Sequence, residues 1–191
     1  MENKISKRYI VIAGVIFLCC FLSWEILKRG CFWPECAPER SFSIYDLDIP
    51  EELYPDGAQV NLLTSDRDLG PIEEVHGGAL WYPGRLVYLI RKFSTIPKAA
   101  DRFEIEMKLR VIDFPANEGD INSSTYNFKS GTANQFDITC GYKTYDLRCI
   151  YRAQYEEFYI YLDASIDEQF STDDFLAIVS FVDAKLVELL R

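Results

Sequence analysis

The chain has 191 residues, 49% of them apolar and 15% aromatic, with 20 Lys/Arg against 30 Asp/Glu and a net charge of −10. That composition fills the core of one ordinary domain and is neither disordered nor low-complexity. Residues 1–29 hold five of the bases and two of the acids, leaving 15 against 28 and a net charge of −13 in residues 30–191. A surface this acidic is repelled by phosphate backbones, which argues against nucleic acid as a partner.

The first element is an apolar run from Tyr9 to Leu27, YIVIAGVIFLCCFLSWEIL, with Glu25 as its single charge. About 20 such residues span a bilayer core. Lys4, Lys7 and Arg8 precede the run, Lys28 and Arg29 follow it, and Trp24 lies near its far end, as in a signal-anchor helix. The excess of bases ahead of the run predicts a cytoplasmic N-terminus and an extracytoplasmic C-terminal domain. A cleaved signal peptide is the main competitor. Against it stand the missing small-residue cleavage site and the length of the run. Cys19 and Cys20 fall inside the run and read as inert membrane residues rather than acylation sites.

Residues 30–57 are rich in proline and acids and read as a tether that contains CFWPEC, Cys31 to Cys36. The globular domain is expected over 58–191. Its first strands are placed at Ala58–Thr64 and Ile72–Trp81, the latter interrupted by Gly77-Gly78, read as a β-bulge. Pro83-Gly84 marks a turn with proline at the first corner. RLVYLIRKF, Arg85 to Phe93, has apolar residues on both faces and is placed centrally in a sheet. Ser94-Thr95 caps a helix whose stripe is Ile96, Ala100, Phe103 and Met107. Residues 113–134 form a long polar loop that includes the glycosylation sequon Asn122-Ser123-Ser124. Strands follow at about 135–142, 147–155 and 158–166. The last helix starts at a capping box, Ser171 with Asp174, and buries Phe175, Ile178, Val179, Val182, Leu186 and Leu189. The order predicts an α+β domain: an antiparallel sheet of about five strands with two helices packed on one face, preceded by one N-terminal transmembrane helix.

In CGYKTYDLRC, a turn at Lys143–Asp146 sets Tyr142 opposite Leu147, Gly141 opposite Arg148 and Cys140 opposite Cys149. Opposed residues in an antiparallel pair lie within disulfide reach. Alternation puts both cysteines on the apolar face with Phe136, Ile138, Tyr151 and Ala153. A structural disulfide is expected there, with two reduced core cysteines as the alternative. Cys31 and Cys36 form a second candidate pair in the tether. Two disulfides imply an oxidising compartment.

Candidate chemistry is sparse. His76, in EEVHGGAL, is the only histidine; with Glu73 or Glu74 as orienter it makes a conceivable general base, but no nucleophile is placed beside it. Gly77-Gly78 lacks the GK[ST] of a phosphate loop. Asp163, Asp167, Glu168, Asp173 and Asp174 lack EF-hand spacing and read as solvated acids and caps. No metal or cofactor is expected. If both helices cover one face, Tyr159, Tyr161 and Ile150 lie on the open one and form a candidate interaction surface. The functional expectation is a membrane-anchored, non-catalytic binding or envelope-complex module, with a protein partner besides the membrane. The alternative is a small envelope hydrolase that uses His76 or an acidic pair.

Overall fold

The structure is a computed structural model describing residues 7–29, 31, 36–64, 70–113, 128–143 and 146–191. It divides into two units, residues 1–36 and 37–191. In the first, α1 runs from Lys7 to Arg29. Its described side chains, Val11 to Trp24, are all exposed. Among the described residues no helix is long and apolar enough to cross a membrane. Cys31 and Cys36 are at disulfide distance, S–S 2.00 Å.

The second unit is α+β and is built on a six-stranded antiparallel sheet. Its strands are β1 (Gln59–Thr64), β2 (Glu73–Leu80), β3 (Arg85–Lys92), β4 (Gln135–Lys143), β5 (Asp146–Tyr155) and β6 (Phe158–Ser165), in the spatial order β1-β2-β3-β6-β5-β4. Helix α2 (Ile96–Asp113) follows β3 and α3 (Thr172–Leu190) closes the chain. The β4–β5 register is the one expected from the sequence, with Cys140 opposite Cys149 and their sulfurs 1.94 Å apart. Both cysteines are buried on the apolar face.

The helices do not share a face, which corrects the expected arrangement. Strand alternation gives the sheet two faces of different chemistry. The first carries Val75, Ala79, Leu86, Tyr88, Ile90, Ile138, Tyr151, Ala153, Phe158, Ile160 and Leu162, and α3 covers it with Phe175, Ile178, Val179, Val182 and Leu186. Each large side chain fully buried there contributes about 1.5–3 kcal/mol. Leu189, expected in the stripe, is only partly buried, while Asp183 is buried within it. Asp183 accepts from Tyr155 Oη at 2.8 Å and from Ser130, and Tyr155 Oη lies 2.5 Å from Tyr151 Oη. A buried carboxylate is tolerated because these donors replace water.

The second face is polar. Arg152, Asp137, Thr139, Gln154, Arg148 and Asp163 are buried on it, and α2 lies over β4, β5 and β6. Its start is capped as expected, Thr95 Oγ1 accepting from Lys98 N–H at 3.3 Å. Of its expected stripe Phe103 is buried and Met107 partly so, but Ile96 is exposed, Ala99 is buried in place of Ala100, and Arg102 and Glu106 turn partly inward as an ion pair. A sheet face that carries charges selects a helix face that can answer them.

Residues 37–57, expected as tether, belong to the fold. Two 3₁₀ turns, Ile44–Leu47 and Glu51–Leu53, bring Ile44, Leu47, Ile49 and Tyr54 into the core. Arg40 pairs with Glu157 (Nε–Oε1 2.7 Å) and with Glu156, and Phe42 stacks on Phe158 at 5.5 Å between centroids. Gly77-Gly78 is not a bulge, since β2 pairs with β3 in unbroken register. A Cβ at Gly77 would stand 2.1 Å from the Tyr88 ring, whose hydroxyl donates to Asp48 Oδ1 at 2.8 Å. The glycine therefore clears the path by which Tyr88 fastens the 37–57 segment.

Replacing Cys140 and Cys149 together by alanine is expected to lower stability by about 2–3 kcal/mol, given the small loop their bond closes. Urea unfolding followed by tyrosine fluorescence checks this; an unchanged midpoint would show that the staple contributes nothing.

Candidate functional site

Three stretches meet at one end of the sheet: the β2–β3 turn, the paired ends of β4 and β5, and the β6–α3 connection. In the first, Trp81 N–H donates to Gly84 O at 3.0 Å and the Tyr82–Pro83 peptide is cis. Proline therefore occupies the third position of the turn, not its first corner as expected. Trp81 Nε1–H donates to Asp167 Oδ2 at 2.9 Å, and its ring packs on Phe170 at 5.2 Å between centroids. Asp167 Oδ1 accepts from the N–H groups of Gln169 and Phe170 at 2.8 and 3.0 Å, and Gln169 Nε2 donates to Tyr82 O at 2.6 Å. Gly84 is required here, since its Cβ would come within 2.4 Å of Trp81 Nε1 and 2.5 Å of Asp167 Oδ2. This bracing holds Tyr82 with 89% of its surface exposed.

Beside the turn lies a groove of about 530 Å³ lined by Leu80, Pro83, Gly84, Arg85, Asp146, Arg148 and Ser165. An adjoining hollow of about 290 Å³ shares Pro83, Asp146 and Ser165 with it and adds Tyr142, Leu147, Ile166 and Asp167. The register explains the grouping. Arg148 is opposite Ser165, and Arg85 lies one step beyond the Leu86–Ala164 pair, so Arg85, Ser165 and Arg148 form one row across β3, β6 and β5. Two strand spacings put the flanking arginine backbones ~10 Å apart with the serine between them.

Asp163, one row further in, is opposite Val87 and Ile150. Its Oδ2 pairs with Arg148 Nη2 and accepts from Tyr161 Oη at 3.2 Å. Among the described residues its Oδ1 has no hydrogen-bond partner. Burial raises the Asp163 pKa above the ordinary carboxyl value, and the opposing pull of Arg148, Tyr161 and Arg85 does not cancel it.

The expected interaction surface is not open. Tyr159 and Ile150 are buried and Tyr161 is half-buried. Helix α2, on the face assumed to be bare, covers Tyr159 with Phe103 and Ala99, while Arg152 lies against the Tyr161 ring at 5.7 Å. His76 Nε2 contacts Glu74, whose other oxygen accepts from Arg91 Nε at 2.5 Å, so the expected orienter is also tied across to β3. Asp167 braces a loop, Asp174 closes the Ser171 capping box, and Asp173 lies in the first turn of α3. No group of three or more His, Cys, Asp or Glu among the described residues is placed to hold a metal ion. The sequon Asn122-Ser123-Ser124 lies outside the described residues. No protein-family model matches the chain, and no curated protein matches it either.

Sequence reasoning passed over Tyr82, Arg85, Tyr142 and Ser165. The available signal was WYPG, an aromatic inside a short proline-glycine turn where nothing local can cover it.

Arg148→Ala is expected to destabilise the domain by roughly 3–5 kcal/mol at neutral pH, because it leaves a buried carboxylate without its countercharge. A carboxyl with a raised folded pKa favours folding when protonated. Part of the deficit should therefore return as pH falls through the Asp163 value, and Asp163→Asn should abolish that recovery. Urea midpoints measured across acidic pH decide it; a deficit independent of pH would overturn this account.

Proposed function

We propose that the chain is a membrane-anchored, extracytoplasmic binding module whose contact site is the groove at the end of the sheet. The observation that carries the binding reading is the braced turn beside that groove. It fixes the backbone at Tyr82 and leaves that side chain 89% exposed beside the groove, so the backbone-ordering cost on binding is small. Tyrosine and arginine are the side chains most often used as recognition anchors, and both types lie at this site. The groove also falls within the ~300–1,000 Å³ typical of small-ligand sites.

Anchoring rests on the Tyr9–Leu27 run with its flanking bases, and on the exposed apolar side chains of α1, among them Phe17, Phe21 and Trp24. Large apolar surface of that extent is unstable in water and calls for lipid or protein cover. The disulfides, Cys31–Cys36 in the first unit and Cys140–Cys149 in the second, support an oxidising compartment for the residues that follow the apolar run.

Expressed in a host with an oxidising envelope, the full chain is expected in the membrane pellet after carbonate washing, with its C-terminal domain open to protease added outside. Deletion of residues 1–29 should release the domain into the soluble fraction. Recovery of the full-length chain in the wash would remove the anchor, and a purified chain whose mass lacks the N-terminal run would identify a cleaved signal instead. For the binding site, a small-fragment screen on the ¹⁵N-labelled full chain in bicelles should shift amides clustered at 80–85, 146–148 and 165–167. Shifts clustered around His76, or none in the groove, would refute this placement.

A further inference from the structure

Resting on the binding-module reading, we infer that the groove takes a neutral, polyhydroxylated ring: one or two units of a saccharide. Charge balance, side-chain geometry and apolar surface each point to that class.

The groove offers Arg85 and Arg148 as cations, against Asp146 on its wall and Asp163 beneath Arg148. With Asp167 in the adjoining hollow, two cations meet three carboxylates among the described side chains, so the site has no excess of cations, inside a chain whose net charge is −10. A free anion approaching would be repelled by that surrounding charge without a local excess of cations to compensate. A small cation would find Asp163 already engaged by Arg148 and Arg85 beside Asp146. An uncharged ligand escapes both penalties.

The lining groups also match hydroxyls. Guanidinium and carboxylate groups are planar and present paired donors or paired acceptors, the geometry that engages two neighbouring hydroxyls at once. Ser165, between the two arginines, donates and accepts, which suits a hydroxyl partner of either sense. Apolar surface lies alongside: Tyr142, half exposed, lines the adjoining hollow with Pro83 and Leu147. A sugar ring has one face of C–H groups that packs on an aromatic ring while its hydroxyls point outward to polar partners. Tyrosine, with an apolar body and a polar tip, supplies such a platform.

The test uses the full chain in phospholipid bicelles, because detergents with sugar headgroups would compete. Cellobiose and chitobiose are the saccharide probes, with inorganic phosphate and glycylglycine as the anionic and zwitterionic comparisons. Ligand-observed saturation-transfer NMR is expected to show transfer to ring C–H protons of at least one disaccharide and none to glycylglycine; in ³¹P relaxation, phosphate should show no bound state. Arg85→Ala and Tyr142→Ala should each weaken the saccharide about tenfold. Both side chains are exposed, so each variant should stay folded, with Tyr142→Ala at the wild-type urea midpoint and Arg85→Ala lowered only by its lost attraction for Asp163. Ser165→Ala, a variant without a charge change, should also weaken the saccharide. Binding of phosphate or the dipeptide alone, abolished by Arg85→Ala, would overturn the saccharide class while leaving the groove as a binding site. Saccharide binding that survives both Arg85→Ala and Tyr142→Ala would also overturn it. If no probe binds and fragments also avoid 80–85, 146–148 and 165–167, both the class and the binding-module reading fall.

Discussion

A fully buried guanidinium, that of Arg152, lies on β5 on the sheet's second face, under α2, and its electrostatic demand shapes what can cover that face. Removing such a charge from water is tolerable only with carboxylate and aromatic partners close by. Asp137 Oδ2 lies 3.8 Å away and also accepts from Thr139 Oγ1 at 2.7 Å, while the Tyr161 ring packs against the cation. A purely apolar helix laid here would have stranded these groups. Instead α2 brings Phe103 and Ala99 to Tyr159 and keeps the Arg102–Glu106 pair at its margin. The opposite face carries no such charge and receives α3, whose stripe is apolar apart from Asp183. The two helices thus sort by the chemistry of the two faces.

That sorting also marks where sequence reading succeeds. The β4–β5 hairpin was legible because its information is local: a short turn and strict alternation fix the register once one pair is set, and Cys140 and Cys149 then follow. The capping box and most of the stripe of α3 were legible for the same reason. The face each helix covers was not, since alternation says that a strand has two faces but not which helix lies on which. Alternation puts Arg152 and Asp137 opposite the apolar side of the hairpin but does not say that this face is interior, which it becomes under α2, from a distant part of the chain. The 37–57 segment, with its prolines and acids, resembles a linker in sequence. Its attachment depends on Arg40 meeting Glu157 and on Asp48 meeting Tyr88, contacts between residues far apart in sequence.

The groove shows a further reason why sites escape such reading. Its residues come from four stretches, around 80–85, 142, 146–148 and 165–167, none of which carries a motif. What joins them is sheet order, β3 next to β6 next to β5, which places Arg85 and Arg148 on either side of Ser165. The Cys140–Cys149 bond has a part in this beyond stability. It ties β4 to β5 at the residue next to Arg148, so the hairpin rails cannot slide, and Tyr142 and Arg148 keep a fixed offset.

The clasp between Arg40 and the β5–β6 turn has a mechanical side. The chain enters the domain where Ala37 N–H donates to Ser94 O at 2.8 Å, passes the Arg40–Glu157 ion pair and the Phe42–Phe158 stack, and only afterwards reaches the edge strand β1. Tension applied from the N-terminal side therefore loads the clasp first, with the hydrogen-bonded ladder of β1 in its shelter. An edge strand pulled directly would open one bond at a time, like a zip. Here the force must first rupture a part-buried, bidentate ion pair and an aromatic contact together, so the domain resists being unravelled from its leading end.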